Sequence, residues 1–354
     1  MLSRLALSCS LFIPVFAHAE VPKVATDVAA VHSLAAIVME GLGTPELIMR
    51  PGASPHGYSM RPSEAAALDD ADVVIFIGGG LTPWLDGPLE TLAGDAQHLS
   101  LLGLAETTKH KARETALFGK EEDHADGDDH GDEHGHDDDH GDDHTDDHGH
   151  DDEHGDDHAD GHGHDDEHGD EHGRDGHHGH AHSLGGIDPH AWLDPKNAIV
   201  WLRNIAEVMA GQDPENANLY RNNADKGIRA IYDAVAQAET LLEPHHDAQF
   251  VVFHDAYQYF EKRFGLSPAG AIALSDAVAP SPARLAKLRA ALAEQNVTCV
   301  FTEPQFNPGL IEAVTGEGAF NTAELDPTGA ATPVGPGFYV ALITGMAETM
   351  AECL

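Results

Sequence analysis

Apolar positions change period several times along this chain, and each change marks an element. Residues 23–26 and 46–49 are short strand candidates, and the unbroken run VVIFI at 73–77 has the composition of a strand buried on both faces. Between them Leu34, Ile37, Val38 and Leu42 recur at helical spacing. Asp194-Pro195 supplies an N-cap and a first-turn proline for a helix running through Met209. The longest periodic element starts at Asp213-Pro214. It keeps Ile228, Ile231, Val235, Ala238 and Leu242 on one stripe until Glu243-Pro244 stops it. Alternation then resumes with a strand at 250–253, a helix opened by Ser281-Pro282 with Leu285, Leu288 and Leu292 inward, and a strand at 297–301.

Strands separated by helices of this length indicate parallel sheets covered on both faces. The expected fold is therefore α/β, with two lobes, each a parallel sheet flanked by helices, joined by a long rigid helix. The expected organisation is a lobe over 20–212, a connecting helix over 213–243 and a second lobe over 244–354. Ligands on such sheets gather beyond the carboxyl ends of the strands.

The first 19 residues change the setting. Arg4 precedes an apolar stretch from Leu5 to Phe16, and the stretch ends in Ala17-His18-Ala19, the A-x-A pattern of a cleaved export signal. The mature chain is expected to begin at Glu20 and to work outside the cytoplasm, in the periplasm. No other run approaches 18 apolar residues, so no membrane insertion is expected. Removing the leader discards Cys9 and leaves Cys299 and Cys353. In an exported chain that pair permits a disulfide tying the C-terminal helix to an interior strand, with two reduced cysteines as the alternative.

Composition then separates two different polymers. Residues 121–182 hold 18 histidines, 27 acidic residues and one basic residue, Arg174, and contain no Leu, Ile, Val or Phe. This segment carries a charge of -26 out of -42 for the whole chain. It lacks the apolar surface needed to offset ordering entropy, so a disordered metal-binding loop is expected. So acidic a chain excludes nucleic acid as a partner, because no basic face neutralises phosphates, and it favours cations.

Four residues outside that loop occupy constrained positions. His56 lies in PGASPHGY, after two prolines that limit its backbone; His190 lies in DPHAWLDP; His254 follows the strand at 250–253; Asp326 lies in the turn ELDP. Imidazoles with one carboxylate suit Zn²⁺, which prefers tetrahedral nitrogen, sulfur and oxygen donors, whereas calcium demands more oxygens. His32, His98, His110 and the pair His245-His246 read as structural. Asp255 and Glu303 are candidates to orient a ligating imidazole. Tyr58 and Trp192 read as walls of the site.

At these residues the chain resembles the zinc-binding receptors of bacterial zinc ABC transporters, in the metal-specific cluster of solute-binding proteins. The matching segments are PGASPHGYSMRPSE, DPHAWLDP, VVFHDAYQYFEKRFGL, FTEPQFNP and ELDPTG, in order along nearly the whole mature chain. The resemblance implies a lobe–rod–lobe fold with metal held between the lobes by His56, His190 and His254. Asp326 or water takes the fourth place. A histidine at 254, where related manganese receptors have a glutamate, points to zinc. The resemblance also implies a Cys299–Cys353 disulfide.

The expected function is capture of Zn²⁺ in the periplasm and delivery, as a monomer, to a zinc ABC permease in the inner membrane with its ATPase. Affinity should fall as histidines protonate near pH 6–6.5. Three histidines plus water is also a catalytic arrangement, so a zinc-dependent hydrolase is one rival. A metal-storage or adhesion protein is the other. Neither an activation motif nor a substrate-pocket signal supports catalysis, and no enzymatic activity is expected.

Overall fold

The computed structural model describes residues 20–78, 80–115, 117–118, 186–274, 281–305, 309, 314–315 and 320–354. The expected leader and the His/Asp-rich loop lie outside them.

The first sheet contains β1 (Val24–Thr26), β2 (Glu46–Leu47), β3 (Val73–Phe76) and β4 (Gln97–Ser100), all parallel, in the order β2-β1-β3-β4. The unbroken apolar run at β3 has the expected reason. Val73, Ile75 and Ile77 face the main core, while Val74 and Phe76 face a second cluster with Leu68, Leu85 and Leu89. Helix α1 (Ala29–Val38) follows β1 and is buried along its whole length. It ends four residues before the expected stripe does, because Gly41 turns the chain at φ +84°, which leaves Leu42 beyond the helix and packed beside the core. Helices α2 (Pro62–Asp69) and α3 (Asp86–Thr91) flank the sheet.

Helix α4 (Pro195–Gln212) opens as its sequence indicates, with Asp194 accepting from the Lys196 amide at 2.9 Å. A 3₁₀ turn at Pro214–Asn216 leads into α5 (Ala217–Leu242). Buried Asp213 holds that junction by accepting from Asn216 and the Tyr220 hydroxyl at 2.7 and 3.0 Å. At 26 residues α5 spans about 39 Å. Its predicted stripe is buried, from Ile228 to Leu242.

The second sheet contains β5 (Phe250–His254), β6 (Gly270–Ala273), β7 (Cys299–Thr302) and β8 (Asn321–Glu324), parallel in the order β6-β5-β7-β8. Helices α6 (Gln258–Phe264), α7 (Pro282–Glu294) and α8 (Phe338–Cys353) accompany it. Here too alternate residues serve two clusters: Phe250 and Val252 join the main core, Val251 and Phe253 a smaller one with Leu288 and Leu292. Cys299 and Cys353 form a disulfide with Cα atoms 5.8 Å apart, tying the end of α8 to β7. The fold is thus two parallel sheets flanked by helices and joined by a long helix. Among the described residues no helix is long and apolar enough to cross a membrane.

Candidate metal site

Each element delivers its histidine at a strand end or a capped turn. His254 is the last residue of β5, so the sheet itself sets its direction. His56 sits in a 3₁₀ turn, Pro55–Gly57, after β2, and its amide donates to the Ser54 hydroxyl at 3.3 Å. His190 precedes the turn Ala191–Leu193, which runs directly into the capped start of α4. Asp188 and His110 pair through their backbones at 2.8 Å, and the Tyr259 hydroxyl donates to the Asp188 carbonyl at 2.8 Å. Trp192 donates its indole N–H to the Pro327 carbonyl, and Tyr339 donates to the Trp192 carbonyl. Side chains from the second lobe therefore grip the His190 segment on both sides.

The three imidazoles converge. The ring of His190 lies 5.3 Å from that of His56 and 5.4 Å from that of His254, centroid to centroid. Nε2 of His56 stands 3.3 Å from Nε2 of His190. His190 and His254 are buried, and His56 is half-buried. Among the described residues no group of three or more His, Cys, Asp or Glu side chains already encloses a metal position, so what converges is a set of rings.

Two carboxylates fix which nitrogen each buried ring presents. Asp188 Oδ1 lies 2.7 Å from His190 Nδ1, and Glu303 Oε1 lies 2.6 Å from His254 Nδ1. A neutral imidazole that donates from Nδ1 carries its lone pair on Nε2, so Nε2 is the atom each would offer a cation. Glu303 follows β7 directly and fills the orienting role suggested for it. Asp255 does something else: its carboxylate accepts from Arg113 at 2.7 Å. Arg113 also reaches Glu261 in α6 at 2.5 Å and lies over the Phe118 ring. Burial outweighs that guanidinium and pushes Asp255 up to about 6 and Glu261 up to about 7. Asp188 was missed by sequence reasoning, although its place two residues before His190 in DPHAWLDP was a usable signal.

Asp326 lies in the turn after β8. It accepts from the Thr328 amide and hydroxyl at 2.8 and 2.7 Å and from the Ala330 amide at 2.5 Å. An ionised carboxylate has about four acceptor positions, so these bonds leave it limited capacity for a ligand. Three other described histidines have local contacts. His32 reaches the Pro45 carbonyl at 3.0 Å, with its pKa lowered by burial; His98 reaches the Ala93 carbonyl at 2.8 Å; His110 packs on Tyr259. Trp192 lies 5.3 Å from the His190 ring and donates to the Pro327 carbonyl, whereas Tyr58 packs on Trp84 and donates to Glu64.

Two parallel-sheet lobes on one long helix, with imidazoles converging from one strand end and two turns, are the arrangement of a metal-binding solute receptor. The model of the family described as "ZnuA: Zinc-uptake complex component A periplasmic" matches residues 24–353. The chain belongs to this family of periplasmic zinc-binding transport receptors. It is 43% identical over 339 residues to the high-affinity zinc uptake system protein ZnuA of Paracoccus denitrificans, covering 96% of this chain and 93% of that protein. The protein of the same name from Yersinia pestis is 30% identical over 335 residues, covering 94% and 91%. A crystal structure of ZnuA superposes with a TM-score of 0.66 at 18% identity, over 94% of this chain and 98% of that one. The periplasmic zinc-binding protein TroA of Treponema pallidum gives 0.65 at 18%, over the same shares. These structural likenesses speak for the fold.

Proposed function

We propose that the chain binds one zinc ion tightly through Nε2 of His56, His190 and His254 and passes it to an inner-membrane ABC permease driven by its ATPase. The observation that carries the ligand set is the 3.3 Å between Nε2 of His56 and Nε2 of His190. Two nitrogens each bound at about 2.05 Å to a tetrahedral zinc lie roughly 3.3 Å apart. The pair is therefore spaced to share an ion with little movement, and His254 supplies the third nitrogen. Asp326 or water completes the shell. Two buried carboxylates behind the rings raise their basicity and favour a dication over none.

Imidazole-rich sites favour zinc over manganese, so selectivity by orders of magnitude is expected of this donor set. The relatives' description as high-affinity zinc uptake proteins agrees with that reading. Binding requires neutral imidazoles and so weakens as pH falls. A zinc-loaded crystal measured at the zinc absorption edge tests the assignment. One ion bound by the three Nε2 atoms supports it, and a sole tight ion elsewhere overturns it.

A further inference from the structure

Of the three histidines, His56 alone is half-buried, and it sits in the turn Pro55–Gly57. Its loop is nonetheless framed at three points. Trp84, in the turn Pro83–Leu85, donates its indole N–H to the carbonyl of Pro55, the residue before His56, at 2.7 Å. Tyr58, two residues after His56, packs its ring 5.2 Å from that of Trp84 and donates its hydroxyl to Glu64 Oε1 at 2.7 Å. The other oxygen of Glu64 accepts the Arg61 amide at 2.7 Å, and Arg50 donates to the Tyr58 hydroxyl at 3.0 Å. Both arms of the loop, from Arg50 to Arg61, are thus tied to α2 and to the turn at Trp84.

Packing alone would not aim these groups. Tryptophan has a single donor and tyrosine a single hydroxyl, and each is spent on the peptide or the carboxylate that brackets His56. A loop that already holds its imidazole in place gives up less freedom on binding metal than one that must be ordered by it. We infer that Trp84 and Tyr58 are positioning residues for His56, acting through the Pro55 carbonyl and Glu64 to preset the most exposed of the three ligands. This rests on the reading of His56 as a zinc ligand. The effect falls on release: a loosened loop lets go of the ion sooner, while the buried pair His190 and His254 is unchanged.

The test uses the intact chain with Trp84→Phe or Tyr58→Phe; each deletes one donor, Tyr58→Phe keeping the ring and Trp84→Phe keeping a smaller aromatic ring. Each variant is also made together with His56→Ala. Zinc is titrated below one equivalent against a competing chelator, so that the tightest site is read, and metal-free melting is recorded beside it. Each single variant should weaken that site about tenfold through faster dissociation, with metal-free melting little changed. Neither should cause further loss once His56 is alanine. Equal losses in both backgrounds, no loss in either, or unfolding of both metal-free variants would overturn the inference. Full affinity in His56→Ala alone would instead remove the ligand reading beneath it, and that outcome is recognisable before any double variant is measured.

Discussion

Glu303 and His254 stand 49 residues apart in the chain and 2.6 Å apart in the fold, joined through Oε1 and Nδ1. The same carboxylate oxygen also receives the His254 amide at 3.3 Å. One acidic residue at the end of β7 thereby fixes both the backbone and the tautomer of a residue at the end of β5. Asp188 does the same for His190, through its amide at 3.0 Å and its Nδ1 at 2.7 Å.

These two carboxylates should matter to the metal without touching it. Glu303→Gln and Asp188→Asn are each expected to weaken tight zinc binding by about 10- to 100-fold. Chelator competition reads the change. Wild-type affinity in both variants would show that the rings are oriented by packing instead.

The ligands themselves should rank. His56→Ala, His190→Ala and His254→Ala are each expected to weaken the tight site far more than Asp326→Ala. The Asp326 carboxylate is already engaged by two amides and a hydroxyl in its own turn. Titration of the four variants side by side measures the order, and near-wild-type affinity without His190 would refute it.

Much of this was legible in the chain. The parallel character of both sheets followed from strand–helix alternation, and the three histidines stood out because prolines, a strand end and a capped turn constrain them. What escaped notice has physical reasons. β4 and β8 carry polar residues such as Gln97, His98, Asn321 and Glu324, so they lack the apolar run that marks a buried strand. Strand ends shifted by a residue or two, since ladder bonds and not composition set them. The partner of Asp255 was hidden because Arg113 lies 142 residues away and shares no local pattern with it.

Removing Arg113 would leave two buried carboxylates facing each other. Arg113→Met is expected to destabilise the fold by about 3–5 kcal/mol near neutral pH. The sign with pH follows from Glu261, already raised to about 7 by burial and raised further without its cation. The folded variant holds that proton while the unfolded chain releases it near pH 4.3, so stability is lost as pH rises from there through 7. Denaturant titrations at pH 5 and 7.5 should show the larger deficit at the higher pH. An equal deficit at both would place the damage in lost packing on Phe118.

The disulfide closes a loop with a sequence separation of 54. Chain-entropy arguments assign such a closure about 4 kcal/mol. The Cys299→Ser, Cys353→Ser double variant should lose about that much in denaturant unfolding. Its effect on wild-type zinc affinity should be small, because the bridge ties α8 to the entering end of β7, away from the carboxyl end where Glu303 stands.

The acidic segment is expected to act as a separate, weaker collector. Its interleaved His, Asp and Glu residues offer many donor sets, and any set that has to be ordered in order to bind holds its ion more weakly. Deleting residues 121–182 should lower total zinc stoichiometry and retain one tight site. Uptake should suffer mainly when zinc is scarce. Loss of the tight site would place its ligands within the deleted residues, and unchanged uptake under scarcity would leave the segment as a linker.

Helix α5 has one further consequence. It packs on α1 and α4 from the first lobe and on α8 from the second, and Gly227 lies so close to α1 that an added Cβ would meet Ile37 at 2.6 Å. A spine packed on both halves, and seated this tightly on one of them, resists bending, so loaded and empty receptors should present nearly the same outline. Whatever machine receives the ion must then tell a full carrier from an empty one by local cues, such as the set of one loop or the charge the ion adds. Futile docking of empty carriers becomes a built-in expense of the design, reduced by how sharply those few cues change.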